Sequence, residues 1–259
     1  MALSISWKAT SASQARLQPI EASNFFVLRG LTITFPQGID RLFLKVAPGA
    51  FHDSAERSDP PKCHPNTRVA VIQHILDWLD DPNSSELVMW LHGAAGAGKS
   101  AIAQTIAQML FEQGRLSGSF FSARGSTTGR GDVKRLIPTL AYQLAKYLPE
   151  TRAHIAAAVL SDPAIFDLSP LSQVQNLLVN PLRIASNALS SSYNISPGLF
   201  IIDGLDECCD ADVQCRILQV FASALSAMQH HLPQKFLITS RSEIFMTGSE
   251  AVVRSKTLE

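Results

Sequence analysis

Three groups of residues in this sequence have the types and spacing to do chemistry: Gly93-Ala-Ala-Gly-Ala-Gly-Lys-Ser100, Asp203-Gly-Leu-Asp-Glu207 and Thr239-Ser-Arg241. The first fits the spacing G-x-x-x-x-G-K-[ST] in full. Its glycines let the backbone curl so that successive N–H groups face inward and cradle phosphate oxygens. A helix expected from Ala101 adds its own unpaired N–H groups and the positive end of its dipole. The expected nucleotide-binding set is therefore Gly93, Ala94, Ala95, Gly96, Ala97, Gly98, Lys99, Ser100 and Ala101. Lys99 supplies a mobile charge for the β- and γ-phosphates, and the Ser100 hydroxyl is placed for Mg²⁺. The bland alternative is a glycine-rich turn with an incidental lysine, which the strand before the loop and the helix after it argue against.

The second group ends an apolar run, Leu199-Phe-Ile-Ile202. A buried strand of this kind pushes Asp203 out at its carboxyl end, where it can hold Mg²⁺ directly or through water. Glu207 is favoured as the base that polarises an attacking water, with Asp206 assisting. The alternative is that these two acids cap a turn or helix. In the third group, Arg241 can read a γ-phosphate or stabilise charge developing during hydrolysis. It can equally be an ordinary exposed arginine at a strand end, and Arg124 carries less weight still. No Asn-Lys-x-Asp segment for reading guanine is present, so ATP with Mg²⁺ is the expected ligand.

These groups need a scaffold, and the hydrophobic pattern supplies one. Leu87–Leu91, Ser119–Ser122, Leu199–Ile202 and Lys235–Thr239 read as strands, and the continuous apolar runs among them fit a parallel sheet buried on both faces. Val69–Asp80 places Val69, Ile72, Ile75, Leu76 and Leu79 at helical spacing, with Asn66 and Thr67 as candidate caps. Further helices are expected at 101–111, 133–148, 152–160, 171–189 (kinked or split at Pro181) and 213–229. The expected fold is α/β: a three-layer α/β/α P-loop NTPase with a mostly parallel sheet, preceded by a short β-rich segment. In that segment, Leu31–Phe35 and Leu42–Val46 suggest a hairpin around Pro36-Gln37-Gly38. The expected boundaries are an N-terminal segment 1–47, a lead-in linker and helix 48–85, a core 86–245 and a tail 246–259.

Hydrophobic residues make up 46% of the 259 and charged residues 17%, so a sizeable core is feasible and wholesale disorder is excluded. Formal net charge is zero, and no global field points to nucleic acid or an acidic membrane. Cys63, Cys208, Cys209 and Cys215 form no CxxC pair, which favours reduced thiols over a disulfide framework or zinc. No run approaches the roughly 20 apolar residues of a membrane span, so a cytoplasmic location is the default.

Taken together, the motifs resemble the NACHT class of signal-transducing STAND ATPases, especially the nephrocystin-like NTPase domain abundant in fungal proteins. The resemblance runs from about Cys63 to Glu243. It rests on Cys63-His-Pro-Asn-Thr-Arg68, the block Trp90–Gln104, Ser119-Phe-Phe-Ser122, Ile137-Pro-Thr-Leu-Ala-Tyr-Gln-Leu-Ala145, Asp203-Gly-Leu-Asp-Glu-Cys208 and Ile238-Thr-Ser-Arg241. It implies a switch in which ATP holds one conformation, ADP another, and slow hydrolysis resets the cycle. It also implies that backbone near Thr67 and Arg68 borders the adenine, and that protein partners act on regions flanking this domain. Ser242 stands where the family commonly has proline, and only 18 residues follow Arg241, too few for the closing helical and winged-helix segments. The expectation is a core cut off after the sensor strand. No fifth strand is expected beside the first one, because Val252 and Val253 lie too near Thr239 for a crossover of at least ~10–12 residues plus a strand. An uncovered sheet edge there would favour self-association.

Three functions compete on this reading. The leading one is an ATP-dependent signalling switch with weak hydrolysis, and the second is a nucleotide-binding interaction module without significant hydrolysis. A small-metabolite kinase is the third, disfavoured by the Asp-Gly-x-Asp-Glu signature and the lack of an acceptor-binding lid.

Overall fold

The alternation at residues 31–35 does give a strand, but with a different partner from the one expected. In the computed structural model, which describes residues 5–7, 25–28, 31–34, 38–189, 197–226, 234–241 and 253–258, three short strands precede the core. They are β1 (Ile5–Trp7), β2 (Phe25–Leu28) and β3 (Leu31–Thr34), antiparallel in the order β1-β3-β2. The hairpin closes between Leu28 and Leu31, which face each other across it. Leu42–Val46 is therefore not its second strand: Leu42 and Phe43 end helix α1 (Gly38–Phe43). Ile39 and Leu42, one turn apart, bury one side of that helix, and a short apolar run such as 42–46 cannot be assigned to strand or helix by periodicity alone.

The core sheet has five strands, all parallel: β4 (Val88–Gly93), β5 (Leu116–Phe121), β6 (Gly198–Asp203), β7 (Gln234–Ser240) and β8 (Val253–Leu258). Their order is β5-β6-β7-β4-β8. Successive side chains point to opposite faces, so β4, β6 and β7 each feed two cores. Val88, Trp90, Phe200, Ile202, Phe236 and Ile238 enter one, and Met89, Leu91, Leu199, Ile201 and Leu237 enter the other. Helices α2 (Val69–Asp80) and α3 (Lys99–Glu112) cover the second face. The first is covered by α4 (Leu136–Tyr147), α5 (Arg152–Ser161), α6 (Pro170–Val174), α7 (Asn180–Leu189) and, beyond the four-residue α8 (Leu205–Cys208), α9 (Ala211–Ser226). This is the expected three-layer α/β/α arrangement of a P-loop NTPase-like fold.

Local departures have local causes. The kink expected at Pro181 is a π-helical turn at Gln175–Val179 that joins α6 to α7, with the Asn180 N–H donating to the Gln175 carbonyl. A widened turn accommodates a proline that cannot donate to the preceding turn. Neither Asn66 nor Thr67 caps α2. Arg68 precedes the helix in a left-handed conformation (φ 55°), and the Thr67 hydroxyl donates to the His64 carbonyl at 2.6 Å.

The two sides of the sheet are completed by different means, and β8 itself becomes an edge strand. Beside β4, the absent fifth strand proves to be β8, paired from Val88↔Val253 to Gly93↔Leu258. The residues between β7 and β8 are 241–252, a connection at the short limit for a parallel crossover, and the expectation of an open edge fails there. At the β5 edge no strand is added. The Gln143 side chain takes a strand's place, its Oε1 accepting the Ser119 N–H at 3.0 Å and its Nε2 donating to the Ser119 carbonyl at 2.7 Å. The segment before α2 packs over this edge, with the His52 N–H donating to Ser119 Oγ and the Ala47 N–H to Thr139 Oγ1. Among the described residues, no helix is long and apolar enough to cross a membrane.

Candidate functional site

The carboxyl ends of β4, β6 and β7 converge on one cavity of about 270 Å³. Its floor is the glycine-rich loop between β4 and α3, where Gly96 (φ 81°) and Gly98 (φ 88°) adopt conformations that cost any other residue about 1–2 kcal/mol. A Cβ built on either would meet nothing within 4 Å, so it is the backbone conformation that demands glycine. Gly93 is glycine for another reason. It ends β4 against β8, and a Cβ there would come to 2.7 Å from the Leu258 carbonyl oxygen.

The Lys99 ammonium folds back over the loop and donates to the Gly93 and Ala94 carbonyls at 2.8 and 2.9 Å. Gly98 is the N-cap of α3 and offers no side-chain acceptor, so the first-turn N–H groups depend on other partners. Lys99, Ser100 and Ala101, which form that turn, line the cavity together with Ala95, Gly96 and Gly98. Gly93, Ala94 and Ala97 lie behind them, and Ala97 gives its carbonyl to the Arg68 guanidinium at 3.2 Å. Thr67 and Arg68 are not part of the cavity wall, whose contribution from the lead-in is Pro61.

Asp203 ends β6 only 4% exposed. Its Oδ1 accepts from the Thr239 hydroxyl at 2.6 Å. Burial pushes its pKa up, against the opposing effects of the Thr239 and Ser100 hydroxyls and the Arg57 charge. A buried carboxylate held by the Thr239 hydroxyl, with its charge unfavourable as it stands and the Ser100 hydroxyl on the neighbouring cavity wall, offers hard oxygen donors suited to Mg²⁺. Thr239 Oγ1 also accepts the Gly204 N–H at 3.1 Å, which fixes the turn that follows. Gly204 itself is left-handed (φ 70°) and opens α8.

That turn brings Asp206 and Glu207 into the cavity wall opposite Lys99. Asp206 is engaged by Arg241 twice: its Oδ1 accepts the Arg241 N–H at 3.2 Å, and its Oδ2 pairs with Nε at 3.1 Å. Glu207 Oε2 accepts the Arg124 N–H at 3.3 Å, while the Arg124 guanidinium donates to the Asp206 carbonyl at 3.1 Å. Arg124 is thus tied to both acids. Trp90 in β4 donates to Ser240 Oγ at 2.8 Å and stacks on His92, locking the ends of β4 and β7 together. His92 therefore packs beside the loop, and its pKa is lowered by burial and then by Lys99.

Arg57 was not among the expected site residues, and it is 9% exposed. It lies over the Phe121 ring at 3.6 Å and donates to Gln104 Oε1 at 2.7 Å and to the His52 carbonyl at 3.2 Å. Burial first, and then the Arg130 charge, bring its pKa down to about 10, so it stays cationic near Asp203 at neutral pH. A single arginine in a polar lead-in carries no periodic signal; the clue in hindsight is that Gln104, on the inner face of α3, needed a buried partner.

No curated protein matches the sequence. Among solved structures, C. elegans PCH-2 matches at 11% identity and TM-score 0.34, over 85% of this chain and 46% of that one. A chain of the E. coli MS115-1 HORMA:CdnC:Trip13 complex matches at 15% identity and TM-score 0.30, over 84% and 60%. The chain spans about half the length of these two, and likenesses of this degree carry no argument about function. The family described as nephrocystin 3, N-terminal, matches residues 67–241, from the lead-in to α2 through Arg241. Well over half of the chain lies within that match, and the chain belongs to the nephrocystin 3 N-terminal family.

Proposed function

We propose that this chain is a NACHT-type switch module of the STAND class that binds ATP with Mg²⁺ and hydrolyses it slowly. The observation that carries the reading is the single cavity on which Lys99 and Ser100 of the glycine-rich loop, Asp206 and Glu207 of the acidic strand end, and Arg241 converge. In this reading residues 93–100 are a Walker A loop, and their N–H groups cradle the β- and γ-phosphates with the first turn of α3. Lys99 leaves the Gly93 and Ala94 carbonyls to meet phosphate oxygens. Ser100 and Asp203 would hold Mg²⁺, which when bound neutralises charge between the β- and γ-phosphates. Thr239 keeps the Asp203 carboxylate aimed, and Glu207 accepts a hydrogen bond from the attacking water. Arg241, already beside Asp206 at the rim, is placed to exchange that carboxylate for a γ-phosphate oxygen, a change that distinguishes ATP from ADP. Residues 86–245 would be the nucleotide core and 48–85 its lead-in, with Thr67 and Arg68 near the adenine; protein partners would read the switch.

A second reading, binding without significant hydrolysis, is favoured by one observation: both acids already have partners, Asp206 in Arg241 and Glu207 in the Arg124 N–H. Equilibrium binding of ATP and ADP with Mg²⁺, alongside phosphate release by the wild type and Glu207→Gln, separates the readings. Slow release that falls by about 10²–10⁴ in Glu207→Gln, with binding kept, supports the switch ATPase. Tight binding without release supports the second reading, and no binding by the wild type overturns both.

A further inference from the structure

At the far end of α3 a second cavity, of about 270 Å³, opens between the start of β5, the C-terminal turn of α4 and the segment before α2. Phe111 lies twelve residues beyond Lys99 on α3, which at 1.5 Å per residue is about 18 Å from the glycine-rich loop. The walls are aromatic. Phe111 leaves half its surface open (53% exposed), and Phe51 and Tyr147 face the same space. Tyr147 is packed against the first core, so that wall is held in place. His52 also lines the cavity, only 5% exposed, its ring against Phe111 with centroids 4.6 Å apart and its Nε2 without a hydrogen-bond partner. An orphaned polar atom this deeply buried is a standing cost that a ligand bearing a complementary group would relieve. Burial keeps the imidazole pKa below its ordinary value, so the ring is neutral and presents a donor or an acceptor according to tautomer.

The geometry points to a binding site for a small planar heteroaromatic molecule of one or two rings, stacked on Phe111 and hydrogen-bonded to His52. The volume falls just short of the ~300–1,000 Å³ of pockets for drug-sized ligands, and suits one or two rings. Aromatic walls select a flat occupant, and a polar ring edge is needed to meet His52.

This site has a direct mechanical link to the first. The His52 carbonyl accepts from Arg57 Nη1 at 3.2 Å and from Gln104 Nε2 at 3.1 Å. Gln104 stands one turn beyond Ser100 on α3, and Arg57 lies on Phe121 close to Asp203. A ligand that draws the His52 ring outward pulls this carbonyl off both donors, and so weakens nucleotide binding. That second limb rests on the nucleotide-switch reading; the binding limb does not.

The test uses benzimidazole, whose ring edge carries a donor and an acceptor, and indene, its apolar counterpart, both followed by ligand-observed NMR on the full chain. Benzimidazole should bind the wild type, weaken at least about fivefold in Phe111→Ala and His52→Phe, and exceed indene by about threefold or more. Matched thermal melts show that the variants are folded. No binding at the solubility limit, unchanged affinity in Phe111→Ala, or equal affinity for indene overturns the site. Saturating benzimidazole should weaken Mg-ATP binding by about fivefold, and ATP should weaken benzimidazole by the same factor, because coupling between sites is reciprocal. Unchanged ATP affinity overturns the coupling alone. A wild type that binds benzimidazole but no ATP sinks the nucleotide reading, and the coupling with it, while leaving the site standing.

Discussion

The middles of the central strands and their carboxyl ends are built from the same chain a few residues apart, yet they answer to different physics. In the middle, Phe200 and Phe236 stack with centroids 4.6 Å apart beneath Phe221, all fully buried, and shape alone decides what fits. At the ends, Asp203, Thr239 and Arg241 are held by hydrogen bonds and an ion pair, with glycine wherever the backbone turns left-handed. The first region stores stability without selectivity for any ligand. The second gives up stability, in a buried carboxylate and strained turns, to hold polar atoms where an anion and a cation can use them.

That contrast can be broken by substitution. Phe236→Ala should remove about 3–5 kcal/mol of stability, read by chemical denaturation, because the stacked neighbours cannot collapse into the space. A loss below about 1 kcal/mol would mean that the middle is not close-packed. Lys99→Ala should lower ATP affinity at least about 100-fold, roughly 2.8 kcal/mol, while the unfolding midpoint hardly moves. Unchanged ATP binding in that variant would contradict the phosphate-loop assignment. Gly204→Ala tests the boundary between the regions. Its left-handed conformation should cost about 1–2 kcal/mol and displace Asp206 and Glu207, so stability and phosphate release should fall together. A variant as stable and active as the wild type would show that this turn is not held as described.

The smallest effect is a pH slope. His52 and His92 have folded pKa values below their ordinary 6.5, so the unfolded chain takes up protons first as the solution is acidified. Their contribution to stability is full above 6.5 and is lost as pH falls through the folded values. Melting temperature should therefore drop just below that point, and His52→Gln should flatten the drop in part, leaving the share of His92. A slope identical in the variant would show that the His52 ring is not buried in solution.

The sequence was most legible where one physical demand acted alone. Both-face burial made β4, β6 and β7 visible as apolar runs, and the glycines of the 93–100 loop announced its curled backbone. It was least legible where two demands overlapped or a partner lay far away. Leu42–Val46 satisfied a strand pattern while Ile39 and Leu42 equally satisfied a helix, and packing against α4 and α5 decided for the helix. β8 was missed because a connection at the short limit was judged too short. Its register with β4 depends on Gly93, whose bare Cα leaves room for the Leu258 carbonyl. Arg57 and Gln143 act through long-range side-chain hydrogen bonds to Gln104 and Ser119, which leave no trace in local spacing.

The position of β4 carries a consequence for how the chain reaches this state. Both of its neighbours lie far downstream: Val88 pairs with Phe236 on one side and Val253 on the other. Closing loops of that length must precede any return from the contacts they make, and folds dominated by such pairings assemble slowly. The glycine-rich loop is local in sequence, but the seat that gives it a shape is not. While the chain is still being synthesised, β4 and α3 emerge long before β7 and β8 exist to receive them, and for that interval an apolar strand stands without either partner. The cell meets this protein first as a chain with an unpaired apolar strand and only later as a folded domain.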